Sequence, residues 1–329
     1  MILVTGGTGR LGNVLVRRLV ELGGKVKVLV APKMPVDSIK DVKGVELFEG
    51  DLLDYESLNK AFKDVDIVYH LAAVVSIVSY NKDLVMNVNV NGTKNIIKAC
   101  ISNKVRRLVY TSTIHALSEP KKGTTITEDL GFDAEHTKGD YDKSKALASL
   151  EVLKSVKQDE LDAVIVCPTG IIGPYDFSVS PFSQYVVNYV NKKQFFYIDG
   201  EYDFVDVRDV AEGMINAAKK AKKGEVFILS GSKTSVNDFN RVLEKVTGIK
   251  PPFRVPVWLS YFASFFSQVY YQITKTTPVF TPYSIQTLQR NAVISHDKAA
   301  KELGFNPRNF EESYKDQIEW FKQRGIIKY

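Results

Sequence analysis

Cysteine is scarce in this chain of 329 residues. Cys100 and Cys167 offer neither a disulfide framework nor metal-ligand spacing. Both fall in apolar patterns and are expected as small buried hydrophobes, which fits a reducing compartment, and no metal site is expected. Internal repeats and low-complexity tracts are missing. With 44% apolar and 25% charged residues, the composition excludes disordered, collagenous and coiled-coil classes. Concentrated charge of one sign is missing too: the net charge is +6, but Lys and Arg are scattered and largely matched by acids. No nucleic-acid partner is therefore expected. The densest basic run, Lys219, Lys220, Lys222 and Lys223, falls where a helix would be ending and complements its dipole. Met1 leads straight into Ile2-Leu3-Val4, so no signal or transit peptide is expected and the cytoplasm is the expected location.

Long uncharged runs are also rare, and one needs a reason. From 255 to 274 no residue is charged, and Trp258, Tyr261, Phe262, Phe265, Phe266, Tyr270 and Tyr271 crowd the stretch. Its length would suffice for a membrane span. Ser260, Ser264, Ser267, Gln268 and Gln272 interrupt it, however, and aromatics outnumber Leu and Ile. The expectation is a helix buried in a substrate region or lining an apolar pocket, with no membrane partner. A helix lying in a membrane interface is the alternative.

What is present, over the first two-thirds, is alternation. Short β-branched runs at 2–5, 25–30, 45–49, 67–70, 107–111, 163–166 and 225–229 are separated by helical patterns at 11–22, 57–62, 87–101 and 142–157. Several runs are apolar at nearly every position, as strands covered on both faces should be. Strands alternating with helices imply right-handed crossovers and a doubly wound α/β fold with a parallel sheet. After Pro168 the alternation weakens and prolines crowd in at Pro174, Pro181, Pro251, Pro252, Pro256, Pro278 and Pro282. Residues 1–168 are thus expected to form a nucleotide-binding unit to which 204–232 returns. Residues 169–203 and 233–329 are expected to form a smaller, discontinuous substrate region.

Val4-Thr5-Gly6-Gly7-Thr8-Gly9-Arg10-Leu11-Gly12 follows the first strand and opens the first helix. A dinucleotide needs its pyrophosphate at a helix N-terminus, where free backbone N–H groups and the dipole favour negative charge. Glycine there permits the tight turn and the close approach of phosphate. Strand before and helix after is the context that gives such a triplet meaning, and the unit reads as a Rossmann-type cofactor site. At the end of the second strand an acid would bind the ribose 2′-OH and repel a 2′-phosphate. Here Leu29-Val30-Ala31-Pro32-Lys33 carries none before Asp37. With Lys33 and Arg10 nearby, NADP(H) is the favoured cofactor and NAD(H) the alternative. Asp51, in Gly50-Asp51-Leu52, could accept from the adenine amino group or could be a turn or capping Asp.

Tyr141-Asp142-Lys143-Ser144-Lys145 opens a helix. Residues four apart share a face, so the Tyr141 phenol and Lys145 ammonium can converge on one site. A tyrosine titrates near 10, and a neighbouring ammonium is expected to lower that value. Tyr141 could then pass a proton to or from a carbonyl or alcohol oxygen while hydride moves at carbon. Val109-Tyr110-Thr111-Ser112-Thr113 ends the fifth strand and places hydroxyls at the carboxyl edge of the sheet, where ligands bind.

Together these pieces resemble the extended short-chain dehydrogenase/reductase superfamily, that of NAD-dependent epimerases and dehydratases, over essentially the whole chain. His70-Leu71-Ala72-Ala73, Asn89-Val90-Asn91-Gly92-Thr93, Cys167-Pro168-Thr169-Gly170-Ile171-Ile172-Gly173-Pro174 and Phe204-Val205-Asp206-Val207-Arg208-Asp209-Val210-Ala211 match as well. Within the superfamily the likeness is to dihydroflavonol 4-reductase-like and 3β-hydroxysteroid dehydrogenase-like members. The resemblance implies Thr113, or Ser112 one place earlier, as the hydroxyl that holds the substrate oxygen. It implies Tyr141 as acid–base and Lys145 as the residue that binds ribose hydroxyls. It further implies cofactor contacts at Gly6, Thr8, Gly9, Arg10, Leu11, Gly12, Lys33, Asp51, Leu52, Leu71, Ala72, Ala73, Asn89, Thr111, Pro168, Gly170 and Ile171, although Asn89 could serve only as a brace. A homodimer through the helices carrying Asn89 and Tyr141 is implied too. His70, His115 and His136 are expected to be structural or solvent-facing, since Tyr141 fills the acid–base role.

Three functions compete on this scaffold. They are a carbonyl reductase or alcohol dehydrogenase for a mostly apolar small molecule, a sugar-nucleotide epimerase or dehydratase, and a non-catalytic cofactor-binding regulator. Dehydratases of the family carry Asp-Glu after the catalytic Thr, where this chain has Ile114-His115. Epimerases carry Tyr-Gly a few residues on, where it has Ala116-Leu117-Ser118. Arg241, Arg254, Arg290 and Arg308 leave a diphosphate clamp open, whereas the aromatic stretch suits a ring-bearing ligand. The intact Thr113, Tyr141 and Lys145 argue against the regulator, and the reductase/dehydrogenase is the expected function.

Overall fold

Seven short, mostly buried strands explain the first two-thirds of the chain. In the computed structural model, which describes residues 1–75, 81–158, 160–261 and 282–329, they are β1 (Ile2–Thr5), β2 (Val26–Val30), β3 (Val45–Glu49), β4 (Ile67–His70), β5 (Arg107–Thr111), β6 (Ala163–Pro168) and, after three strands of the second region, β10 (Val226–Leu229). They lie in the order β10-β6-β5-β4-β1-β2-β3, each pair parallel. Every residue of β2 and β6 is buried, as strands covered on both faces require. β3, at the edge, has only exposed and half-buried positions.

Side-chain alternation sorts the core into two layers. Val4, Val28, Val109 and Val164 face α1 (Arg10–Glu21) and α7 (Val207–Lys220). Leu3, Val68, Leu108 and Ile165 face α2 (Tyr55–Ala61), α4 (Gly92–Ser102) and α5 (Asp140–Lys157). Strand order reverses between β1 and β4, so the crevice at their carboxyl ends is the place for a dinucleotide in such a sheet.

The helix expected at 87–101 is more elaborate. Helix α3 (Lys82–Met86) runs into a π-helical stretch, Asn87–Asn91, before α4 resumes the ordinary pitch. Widened turns of this kind concentrate at functional sites, and this one carries Asn89. Two other helices start earlier than their apolar patterns, because polar residues form the first turn. α2 begins at Tyr55, where the Asp54 carboxylate accepts from Glu56 N at 3.0 Å, and α5 begins at Asp140.

Beyond β6 the chain builds a second layer of structure. Strands β7 (Gly170–Ile172), β9 (Glu201–Asp206) and β11 (Ser232–Ser235) form one small sheet, and β8 (Phe196–Ile198) and β12 (Phe253–Val255) form a two-stranded one. Helices α6 (Pro181–Val190), α8 (Val236–Thr247) and α11 (Phe310–Gln323) pack around Phe204, Phe239 and Tyr314. β10 is the outermost strand of the main sheet, beside β6. A later helix, α10 (Asp297–Leu303), lies there too: Ala299, Leu303 and the following Phe305 join the layer beneath the main sheet. Between β12 and α10 lies α9 (Pro282–Leu288). Among the described residues no helix is long and apolar enough to cross a membrane. Of the aromatic stretch 255–274, everything from 262 onward lies outside the described residues.

Candidate active site

The glycine turn has the shape a phosphate requires. Gly6 sits at φ +74°, and a Cβ there would meet the Ala72 backbone nitrogen at 2.7 Å, so β1 and the loop after β4 touch through bare backbone. A Cβ on Gly12 would run into the Gly6 carbonyl oxygen. Asn13 N makes the first helical bond, to Gly9 O at 2.8 Å. The amides of Arg10, Leu11 and Gly12 therefore come before the first bonded turn, where a helix keeps its free donors. This cradle, filled by any Cβ and lined by unspent N–H groups, fits a pyrophosphate. Thr5, which sequence reasoning passed over, ties the two edges together: its Oγ1 accepts from Leu71 N at 3.2 Å and Ala72 N at 3.1 Å. Its position, last in β1 and directly before the glycines, was the available signal.

Several expected cofactor contacts have other partners. The Arg10 guanidinium is nearly buried, donates to the carbonyls of Ile171 and Gly173, and lies 3.6 Å from Asp176. It clamps α1 to the segment after β6, so its side chain lends no support to a 2′-phosphate contact; its backbone amide stays at the helix N-terminus. Asn89 is spent in the same way. Its Oδ1 accepts from Val74 N at 2.8 Å, and its Nδ2 donates to Val74 O at 3.0 Å and Ser144 Oγ at 2.9 Å. These bonds tie the loop after β4 to α5. A Cβ on Gly170 would strike the Tyr202 ring, which gives that glycine a packing role. Asp51 forms a turn, accepting from Leu53 N at 2.9 Å, while its side chain remains exposed. Lys33 is exposed in a turn after β2 at φ +64°. Leu52 is buried and packs against Gly92. Thr8, Leu71 and Ala73 are half-buried around the crevice, whereas Gly9 is exposed. Pro168 ends β6 beside Leu229.

The catalytic candidates lie at the carboxyl edge of β5. Lys145 is buried, donates from Nζ to the Thr111 carbonyl, and rests 4.4 Å from the centre of the Tyr110 ring. Burial pushes its amine down to about 7. Tyr141, one turn earlier on α5, is half-buried. Burial pushes its phenol up, and the adjacent Asp142 carboxylate pushes it further. The expected lowering by the Lys145 ammonium is thus not present, because burial disfavours charge on both groups and the amine is turned to a carbonyl. The Ser112 hydroxyl is engaged with Ser149 Oγ at 2.7 Å inside the α5 contact. Thr113, one residue on, caps the turn Ile114–Ala116, its Oγ1 accepting from His115 N at 3.4 Å.

Beside this edge opens a cleft of about 480 Å³. Ile114, Leu117, Ile126 and Ile294 give it apolar walls, and His115, Tyr202, Asp203 and Arg290 give it polar ones. His115 Nε2 and Tyr202 Oη are 2.6 Å apart, and burial pushes the imidazole down to about 3, so it is neutral. Arg290 donates to Asp142 at 3.0 Å and to the Lys138 carbonyl at 3.1 Å. Asp203 accepts from Thr169 and Gly231, and burial pushes its carboxyl up to about 6. Sequence reasoning gave no part to Asp142, Tyr202 or Asp203; Asp142, inside the Tyr141–Lys145 turn, was the legible one. The other two histidine candidates, His70 and His136, have plain roles. His70 is buried between Thr5 and Thr93, and His136 pairs with Asp133 at the surface. Cys100 and Cys167 are buried, and burial pushes both thiols up.

The four arginines that left a diphosphate clamp open all face carboxylates. Arg241 meets Asp238 at 3.0 Å, Arg254 meets Asp199 at 3.2 Å, Arg290 meets Asp142, and Arg308 meets Asp209.

Comparison with known proteins agrees with this architecture. The model of the family described as "NAD dependent epimerase/dehydratase family" matches residues 2–230. The protein named "Sterol demethylase protein B" of Methylococcus capsulatus is 30% identical, covering 99% of this chain and 99% of its own length. A Synechocystis protein provisionally named dihydroflavonol 4-reductase is 28% identical, over 99% of this chain and 95% of its own. The crystal structure of gox2253 superposes with a TM-score of 0.87 at 31% identity, covering 100% of this chain and 99% of that one.

Proposed function

The chain belongs to the NAD-dependent epimerase/dehydratase family, and from that premise we propose that it is an oxidoreductase for a mostly apolar, ring-bearing small molecule. It reduces a carbonyl, or oxidises the corresponding alcohol, with Tyr141 as acid–base and NADP(H) favoured over NAD(H). The observation that carries this reading is the seating of Lys145. Its amine lies at the Thr111 carbonyl, at the carboxyl end of β5, one helical turn from Tyr141 and two residues from Thr113.

When bound, the nicotinamide cofactor supplies or takes up the hydride. The amides of Arg10, Leu11 and Gly12 hold its pyrophosphate at the start of α1, and Lys145 holds ribose hydroxyls. Thr113 and Tyr141 orient the substrate oxygen. In reduction Tyr141, which is protonated at neutral pH, donates its phenolic proton to that oxygen. The neutral His115 and Tyr202 face the cleft and can read a second polar group of the substrate.

Two observations favour this over a sugar-nucleotide enzyme. The arginines available for a diphosphate already pair with carboxylates. A relative named for sterol demethylation matches along its whole length, which supports a lipophilic ring system. The engagement of Ser112 with Ser149 supports Thr113 as the substrate-facing hydroxyl. The test is a panel of aldehydes, ketones, sterol-like alcohols and sugar nucleotides, followed by nicotinamide absorbance. Tyr141→Phe abolishes turnover of whichever substrate is found while cofactor binding stays nearly intact. Wild-type turnover in that variant overturns the assignment, and turnover of sugar nucleotides alone overturns the substrate class.

A further inference from the structure

Lys145 is a buried cation with no acid beside it. The residue is 3% exposed, and among the described residues no carboxylate lies within ion-pair distance of its amine. An ammonium taken out of water is unfavourable unless other groups replace its lost hydration. Two groups form its seat. The Thr111 carbonyl accepts from Nζ, and the same nitrogen lies over the Tyr110 ring, 4.4 Å from the centre.

Tyr110 and Thr111 are neighbours on β5, so the ring and the carbonyl are set by one short piece of strand. Tyr110 is 1% exposed and belongs to the layer of core that α5 covers. Its ring is backed by that of His70, with centres 5.6 Å apart. His70 is held in turn by Thr5 Oγ1 at 2.7 Å and Thr93 Oγ1 at 3.1 Å.

The titratable groups around the amine are His70 on β4, Tyr110 on β5, Cys167 on β6 and Tyr141 on α5 itself. Burial pushes the imidazole down to about 3, so no second cation competes for the ring. Burial pushes the Cys167 thiol and the Tyr141 phenol up, so neither supplies a negative charge at neutral pH. Offsetting the desolvation of the ammonium thus falls to the Thr111 carbonyl and the face of Tyr110. A ring face attracts a cation through its quadrupole, and more strongly where water is excluded.

We propose that Tyr110 is a positioning residue for Lys145: its ring face seats the ammonium against the Thr111 carbonyl and favours the charged form over the neutral amine. A charged Lys145 has three N–H donors, of which the carbonyl takes one and the others stay free for ribose hydroxyls. That consequence rests on the proposed role of Lys145, whereas the seat itself does not.

The experiment follows Lys145 in the full chain, without substrate or cofactor, by NMR titration of protein labelled with carbon-13 at lysine Cε. The Lys145 signal is the one that Lys145→Met removes. Tyr110→Phe keeps the ring face and leaves the midpoint in place. Tyr110→Leu lowers it by about one unit, the size of a cation–π contact away from water. Since Tyr110→Leu also removes core volume, Tyr110→trifluorophenylalanine repeats the comparison with the ring shape kept. Fluorine drains the ring face of electron density, and the midpoint falls by about one unit relative to Tyr110→Phe. A midpoint that fluorination leaves unmoved overturns the proposal, as does a Tyr110→Phe shift as large as that of Tyr110→Leu. Turnover plays no part in this readout, so the seat of Lys145 and the acid–base role of Tyr141 stand or fall separately.

Discussion

Asp142 and Arg290 meet at 3.0 Å, with side chains 0% and 8% exposed, although 148 residues separate them. Asp142 directly follows the proposed acid–base on α5, and Arg290 comes from the segment after α9 that walls the cleft. The second Arg290 nitrogen reaches the Lys138 carbonyl just ahead of the helix. The cleft wall and the start of α5 are therefore held as one piece.

Removing one partner strands a buried charge, which costs about 3–5 kcal/mol. Arg290→Gln should lower unfolding stability by that order, and Asp142→Asn/Arg290→Gln should recover most of the loss. Urea unfolding of the two single variants and the double closes the cycle. Additive losses would mean the pair is not an energetic unit.

Asp142 should also set the pH dependence of alcohol oxidation, in which the phenolate accepts the proton. The groups around Tyr141 are Asp142, Lys145, Tyr110 and Tyr202, with Arg290 paired to Asp142. The Asp142 carboxylate raises the phenol, so Asp142→Asn should move the acidic limb of kcat/KM to lower pH, by about one unit. The released Arg290 cation pushes the same way. An unmoved or raised limb would show that Asp142 does not act on the phenol.

Stability should carry the signature of Lys145. Burial pushes its amine down to about 7 in the folded chain, below the ordinary 10.5. Between those values the unfolded chain holds a proton that the folded chain has lost, so this group makes stability rise with pH across that window. Lys145→Met should remove that slope and gain most on the wild type at and below pH 7. Equal differences at pH 6.5 and pH 9.5, read by urea unfolding, would contradict the depressed amine.

The proposed preference for NADP(H) rests on Lys33, since the Arg10 guanidinium has other partners. Lys33→Ala should weaken NADPH on the order of tenfold and leave NADH unchanged, the loss of one charge-assisted contact. Titration against intrinsic Trp fluorescence measures both. Equal effects on the two would remove the argument for NADP(H).

Much of the frame was legible because its signals are local. β1, β4 and β5 begin and end where their β-branched runs do, since burial on both faces leaves little room for polar residues, and the bounds of the edge strand β3 match its run as well. The helix expected at 87–101 hid its π-helical stretch, because the extra residue per turn answers to Asn89 reaching across to Val74 and Ser144. The edge position of β3 was equally hidden, since nothing within five residues says which strand has a neighbour on one side only.

The glycine turn and the Tyr141–Lys145 spacing follow from the sequence alone, because backbone reach and helical pitch act over a few residues. Tertiary structure alone decided what the charged side chains face. Arg10 could have met a phosphate and instead clamps carbonyls, and Arg290 could have met a diphosphate and instead holds Asp142. A charge has no periodicity to betray its partner. Which opposite charge it finds, and how dry the place is, depends on segments that only folding brings together.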